Sequence, residues 1–427
     1  MSTPTGERVQ AAALPAAAPV ARGAWIALAI FTLINLVNYL DRYVLAGMLP
    51  LVQAHFGRTD AQMGILSSSF LVVYAVVSPF TGFLGDRASR KHIVAAGAIL
   101  WSAATVWSGF ARTFDELLLA RSFIGIGEAG YAAVAPGYLA DLFEERRRGR
   151  ILALFYAALP VGSALGFTLG GVIGTAYGWR AAFLVAGIPG ALLGVAALFL
   201  REPRRGAADG GARFSPARIG AIVRTLAASP GFRFNTAGYT AATFAMGGVA
   251  AWWPTFLERE RGVPLDRGGF LFGAVLVVAG FLGTLCGGWL GDRLHARDRG
   301  GHFRAAGWGL VAAFPFAAAG VLLRAPGLYW PAIFVALFFL FFNTAPLNAV
   351  LVNVAPPSMR ASAVAINVLV IHLLGDAISP WLMGLVSDAS HLGLAVLLDC
   401  GMILVAGVIL LLGTGALRRE LERRAAP

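Results

Sequence analysis

Four ionisable residues stand inside apolar stretches of this chain. Asp41 and Arg42 lie in a run that opens at Ala24, and Arg121 and Glu128 in one that opens at Glu116. Placing such a side chain in hydrocarbon costs about 2.5–3.5 kcal/mol on insertion scales, so each is a functional candidate by default. Asp41 is 17 residues into its run, about 25 Å at the 1.5 Å rise of a helix. The second run travels the opposite way, which puts Arg121 about 7–8 Å below the far surface and level with Asp41 and Arg42. Glu128 follows two turns on along the same face, near the midplane, with Gly125 between. Two acids and two bases form a neutral set. Protonating Asp41 or Glu128 would release an arginine and change the pairing between two helices, which is proton-coupling chemistry. The same set could also be a static network that fixes helix packing.

Other polar groups recur in the second half. Asn343, Asn348 and Asn353 dot one apolar run, and His372 and Asp376 share a face of another at i and i+4. They are expected to line a polar cavity, unless they serve as hydrogen bonds between helices. His55, His92, His295, His302 and His391 fall in loops or at helix ends, which leaves His372 alone. No nucleophile–base pair or metal-ligand spacing follows, so an intramembrane enzyme is excluded and no metal or cofactor is expected. Cys286 and Cys400 sit in apolar segments as small packing residues.

The elements that position these groups are apolar helices. Of 427 residues 58% are hydrophobic and 13% charged, against about 45–50% and a quarter in soluble domains. That surplus requires a bilayer as solvent, and the apolar runs reach the roughly 20 residues a span needs. Twelve spans are expected. They form an all-α membrane protein with a tail at 1–22, six helices over 23–200, a linker at 201–233, six more over 234–417 and a basic tail at 418–427. The net charge of +12 would suit nucleic acid only if clustered on one face, whereas the basic residues here lie in short loops. Of the 34 basic residues, 25 fall on the side of the termini, seven on the opposite side and two, Arg42 and Arg121, inside spans. By the positive-inside rule both termini are cytoplasmic. The Arg-, Ala- and Gly-rich composition with a single lysine points to a GC-rich genome, hence to the inner membrane of a bacterium.

Gly82-Phe-Leu-Gly-Asp-Arg87 ends the second run, and Gly288-Trp-Leu-Gly-Asp-Arg293 ends the eighth, 206 residues later. Two related six-helix halves put a substrate site between them. Gly82 and Gly85 would admit a neighbouring helix, and Asp86 would sit at the N-terminus of the helix starting near Ser358. Arg87, Arg90 and Lys91 could pair with Asp141. With Asp292 and Arg293 these residues are the expected cytoplasmic gate. Gly162, Gly166 and Gly170 give the fifth helix a smooth face, expected at a rocking interface. Trp252 and Trp253 suit either a gate or an interfacial aromatic belt.

At Asn38-Tyr-Leu-Asp-Arg-Tyr-Val-Leu-Ala-Gly47, Arg121-Ser-Phe-Ile-Gly-Ile-Gly-Glu-Ala129, Phe155-Tyr-Ala-Ala-Leu-Pro-Val-Gly-Ser163 and His372-Leu-Leu-Gly-Asp-Ala-Ile-Ser-Pro380 the chain resembles the Spinster branch of the major facilitator superfamily. The resemblance implies the major facilitator fold of two pseudo-symmetric bundles. It carries the coupling role onto Asp41, Arg42, Arg121 and Glu128, and adds Asn38 and Tyr156 to the substrate cavity. Animal members of that branch are transporters of lysolipids and sphingosine phosphate. The resemblance therefore implies a monomeric carrier whose partners are protons, the bilayer and a small amphiphile. Leu159-Pro160-Val161-Gly162 departs from the Gly-Pro of drug antiporters. The alternative substrate is a small organic anion such as a sugar acid.

Overall fold

The computed structural model describes residues 22–85, 87–203, 219–356 and 359–425, which are helical almost throughout. The first bundle holds spans one to six, Arg22–Gly47, Asp60–Gly85, Arg90–Phe110, Phe114–Leu142, Glu145–Tyr177 and Trp179–Leu198. The second bundle continues with the seventh span Pro230–Arg261, the eighth Leu265–Arg297, the ninth Gly301–Leu322 and the twelfth Leu392–Ala425. Its tenth span is broken at Asn343 into Pro326–Phe342 and Thr344–Val354. Its eleventh comprises Arg360–Ile371, a π-helical turn His372–Asp376 and Ser379–Ala389. Eleven of the twelve are apolar enough to cross a membrane on composition alone. The seventh fails that criterion because it is rich in Gly, Thr and Arg, yet 19 of its residues are buried by its neighbours.

Several boundaries differ from expectation. The first loop contains a short helix, Leu49–Phe56, closed by Gly57 in the left-handed region at φ 59°. The linker ends in an amphipathic helix, Ile219–Ala228, whose Ile222 and Leu226 are buried while Val223 is exposed. The seventh span starts at Pro230, not 234, because Ser229 caps it: its Oγ accepts from the Phe232 amide at 3.0 Å. Glu420 of the twelfth span adds a second cap, accepting from Ser229 Oγ at 2.7 Å and the Gly231 amide at 2.8 Å. The basic C-terminal segment is therefore helical as far as Ala425. The tail at 1–21 and the linker residues 204–218 lie outside the described residues.

Within the first bundle the first span lies along the fifth. The glycine seam makes this possible, since a Cβ at Gly166 would sit 2.5 Å from the Leu40 carbonyl oxygen. Gly162 and Gly170 meet the Leu36 and Val44 carbonyls in the same way. The seam is thus internal to one bundle, which corrects the expectation that it forms a rocking interface. Between the bundles the fifth span instead offers Ala164 and Phe167 to Gly273 and Gly269 of the eighth.

The bundles meet firmly at their ends away from the termini. There Asp388 of the eleventh span accepts from the backbone amides of Asp60 and Ala61, at 2.8 and 2.9 Å. A carboxylate from one bundle thereby caps the second span of the other. Asp60 accepts from Arg259 at 2.9 Å through both oxygens, from Gln53 at 2.7 Å and from Ser387 at 2.5 Å. Among the described residues, every hydrogen bond between the bundles lies in this cluster. Trp252 and Trp253 are buried, and Trp252 Nε1 donates to the Pro380 carbonyl at 2.9 Å. Trp252 ties the seventh span to the eleventh, Trp253 stacks on Phe272 of the eighth, and being buried they form no interfacial belt.

Candidate functional site

The four charged residues inside the first bundle converge. Arg42 reaches Glu128 with a 2.7 Å ion pair; the glutamate side chain is fully buried and the arginine 12% exposed. The guanidinium is also surrounded by the rings of Tyr39, Phe70 and Tyr74, at 4.8, 4.9 and 5.2 Å. Such faces stabilise a cation that has lost most of its water. Arg121 also lies over the Phe70 ring, at 5.3 Å, and its Nε and Nη1 have no hydrogen-bond partner among the described residues. Gly125 is required at its place because a Cβ would meet the Phe70 carbonyl oxygen at 2.5 Å, which brings the second and fourth spans into backbone contact.

Asp41 departs from the expected pairing. It is fully buried, and its one hydrogen bond is from the Thr105 hydroxyl of the third span rather than from an arginine. Its Oδ1 has no partner. Protonating Asp41 would therefore not break a direct ion pair, whereas protonating Glu128 would. Thr105 escaped the sequence reading because a hydroxyl in an apolar helix usually satisfies itself on its own backbone. Thr105 does that too, at 2.9 Å from the Trp101 carbonyl.

The cavity residues divide. His372 Nδ1 and the Asp376 carboxylate are 2.9 Å apart within the π-helical turn. Such turns mark places where a helix has given up regular bonding. The His372 ring stands edge-on to Tyr74 of the first bundle at 6.0 Å. A cavity of about 60 Å3 between the bundles is lined by Arg42, Tyr43, Phe70 and Arg121 on one side and Gly247 and Asp376 on the other. Asp376 thus faces the arginines of the first bundle, a juxtaposition that sequence spacing could not supply. Tyr156 is 49% exposed and Asn348 is exposed beside Tyr239.

Two assignments are corrected. Asn343 is buried and donates to the Leu340 carbonyl of its own helix at the break of the tenth span, so it does not line the cavity. Asn38 is 3% exposed and lies against Glu128, within the charged cluster. A larger recess of about 570 Å3 lies elsewhere, lined by apolar side chains of the Ile219–Ala228 helix and the seventh, eleventh and twelfth spans.

The expected gate is also rearranged. Arg90 alone pairs with Asp141, at 2.6 Å, and with Glu202 at 3.2 Å. Lys91 Nζ donates to the Leu198 and Leu200 carbonyls, and Arg87 lies over the Phe83 ring at 3.5 Å. Glu202 also accepts from the Ser89 hydroxyl and the Arg90 and Lys91 amides, capping the third span. Burial alone would raise the Glu202 pKa, but these donors outweigh it and hold the carboxyl below its ordinary value. Arg293 stacks near Trp289 at 5.7 Å. No hydrogen bond among the described residues joins Arg87, Arg90, Lys91, Asp141, Asp292 or Arg293 to the other bundle. Through Arg90 and Lys91 the described bonds brace the first bundle. Asp86 and Ser358 lie outside the described residues. Of the two motif glycines only Gly85 is close-packed, against Val134, while a Cβ at Gly82 would meet open space.

Residues 31–380 match the Major Facilitator Superfamily. The chain is 34% identical to Protein spinster of Drosophila melanogaster over 381 residues, 87% of this chain and 63% of that protein. It is 36% identical to Protein spinster homolog 1 of Homo sapiens over 386 residues, 84% of this chain and 72% of that one. A crystal structure described as a bacterial homolog to the human lysosomal transporter Spinster, inward-facing and unoccupied, superposes with a TM-score of 0.84 at 22% identity. That superposition covers 93% of this chain and 98% of the other. Twelve spans in two bundles, a charged cluster at their junction and these relatives have one reading: the chain is a membrane transporter, not an enzyme, and belongs to the Spinster branch of the Major Facilitator Superfamily.

Proposed function

We propose that the protein is a proton-coupled secondary transporter that moves an amphiphilic, lysolipid-like substrate by alternating access, with both termini in the cytoplasm of a bacterial cell. The observation that carries this is the buried Arg42–Glu128 pair at the edge of a cavity shared with Asp376. A proton on Glu128 removes the partner that Arg42 holds, and Arg42 is then free to turn toward Asp376 of the other bundle. That links proton binding to the relation between bundles. The wall of Tyr39, Tyr43, Phe70 and Tyr74 offers apolar faces beside two guanidinium groups, which suits a molecule with a charged head and a hydrocarbon tail. Basic residues concentrated on the termini side support that orientation, and the joined far-side ends correspond to a carrier open toward the cytoplasm.

The driving force suffices. A potential of about 100 mV supplies about 2.3 kcal/mol per charge, and one pH unit about 1.36 kcal/mol. Together one proton could sustain roughly 500-fold accumulation. A second reading, symport of a small organic anion, is favoured by the two arginines lining a cavity of only about 60 Å3. Flux into proteoliposomes decides between them, with lysophosphatidylcholine and gluconate as test substrates, each with and without a pH gradient. The expected result is pH-driven lysolipid flux that Asp41→Asn and Glu128→Gln abolish in folded protein. Undiminished coupled flux in both variants would remove the proton relay, and gluconate flux alone would select the second reading.

A further inference from the structure

One buried acid takes no part in the cluster above. Asp399 stands seven residues into the twelfth span, about 10 Å from its far-side end at 1.5 Å per residue, and is 3% exposed. Neither carboxyl oxygen has a hydrogen-bond partner. The one polar group that approaches is the Val249 backbone amide, already committed to its own helix.

Among the described residues no charged group faces Asp399 from the helices around it. On the seventh span, Arg259 is engaged with Asp60, Glu260 with the Gly393 amide and Arg261 with the Val321 carbonyl, while Glu258 stands near the same end. On the eleventh, Asp376 is bonded to His372, and Asp388 caps the second span. His302 and Arg304 of the ninth, and Arg418 to Arg424 of the twelfth, lie at the opposite ends of their helices. Cys400, next in sequence and buried, is the remaining titratable neighbour.

The carboxyl is seated against bare backbone. A Cβ at Gly248 would lie 2.7 Å from Asp399 Cγ and Oδ1, in a slot that Met383 also fills. The adjoining Gly247 receives Asp376, with Cα at 2.5 Å from a Cβ there, and the Ser379 hydroxyl at 2.9 Å. Ser379 Oγ is itself buried without a partner. The 206-residue offset between the two Gly-Asp-Arg motifs carries Asp41 onto Gly247 and Arg42 onto Gly248. Where the first bundle projects an acid and a base from its leading span, the second leaves two glycines and sends in Asp376 and Asp399 from the eleventh and twelfth.

An ionised carboxylate with neither donor nor counter-ion costs several kcal/mol in such surroundings, and a neutral carboxylic acid far less. We propose that Asp399 is a second proton-binding site of the carrier, loaded in this conformation and housed in the bundle that lacks the Asp41–Glu128 set. Movement of the seventh span that draws Gly248 away admits water to the carboxyl. The proton then passes from Asp399 to that water and leaves a carboxylate behind. This extends the proton-coupled reading to the second bundle, and its test is independent of transport.

Infrared difference spectroscopy of the full chain in phosphatidylcholine vesicles, between acidic and alkaline pH, reads the C=O stretch of a buried carboxylic acid. In an Asp41→Asn/Glu128→Gln background the acids of the first bundle are silent. The expected result is a band that survives in that background, disappears with Asp399→Asn and moves in frequency with Asp399→Glu. A band unaltered in both Asp399 variants, or no such band in the double-variant background, overturns the proposal. If Asp399→Asn does not fold, Asp399→Glu decides alone, and an unshifted band counts against it. Loss of the first-bundle relay in the flux assay would leave this readout unchanged, so the two ideas fail separately.

Discussion

Removing the Arg259 side chain should tilt the balance between the two bundles. Arg259 donates to both oxygens of Asp60 at 2.9 Å and to Gln53, with the arginine side chain 32% exposed and the aspartate 9%. A hydrogen bond to a charged group contributes about 1.5–3 kcal/mol, and a fully exposed ion pair about 0.2–1 kcal/mol. This joint is dry at the aspartate and wet at the arginine, so about 1–2 kcal/mol is the expected loss in Arg259→Ala. The interaction exists only while the far-side ends are together, so the whole loss falls on that state and the equilibrium moves about 5- to 30-fold toward its opposite. Pulsed electron paramagnetic resonance between labels at Arg112→Cys and Arg324→Cys, both exposed far-side positions, with Cys286 replaced by serine, reads the populations. The long-distance population should grow in Arg259→Ala and less in Arg259→Lys, which keeps the charge without the two-pronged donor. High salt should narrow the difference, since a partly exposed pair is screened. Identical distance distributions in all three proteins would refute the assignment of this cluster as the joint.

Three further outcomes follow from the packing. Gly166→Ala places a methyl 2.5 Å from the Leu40 carbonyl and should cost about 1–3 kcal/mol, lowering the Tm of the detergent-purified protein, whereas Gly82→Ala, in open space, should leave it unchanged. Glu420→Ala strips the caps from Ser229 and Gly231 and should destabilise by about 1–3 kcal/mol, read as faster proteolysis near the linker. Glu202, whose folded pKa is lowered, contributes stability that is present above the ordinary glutamate pKa and lost as pH falls through its folded value. Glu202→Gln should therefore cost about 1 kcal/mol at neutral pH, and the gap to wild type should close on acidification in a thermal-shift series.

The spans, the two-bundle repeat and the charged set around Arg42 were legible because hydrocarbon makes polar mistakes expensive, so every acid in an apolar run is a signal. The same rule marks Asp399, an acid that stands without a second charge in its apolar run. What stayed hidden was pairing. Spacing along a helix sets the depth of Asp41 but not that it meets Thr105, nor that Asp376 crosses to the arginines, since both depend on how helices from distant segments rotate. Nothing in the spacing of Asp60, Arg259 and Asp388 marks them, and only the assembled fold turns them into a joint. The reading of Arg87, Arg90 and Lys91 as one cluster failed for a related reason. Adjacent residues on a helix start point different ways, and only Arg90 is aimed at Asp141.

The cap that Asp388 places on the second span has a further implication. The donors it receives are main-chain amides of Asp60 and Ala61, which persist through nearly any change of residue there save to proline. Random substitution at the helix tip thus leaves this cap in place, whereas the Asp60–Arg259 pair beside it depends on both side chains. Within that cap the adjustable half lies in the second bundle, at position 388, and the fixed half is written into the peptide backbone of the first.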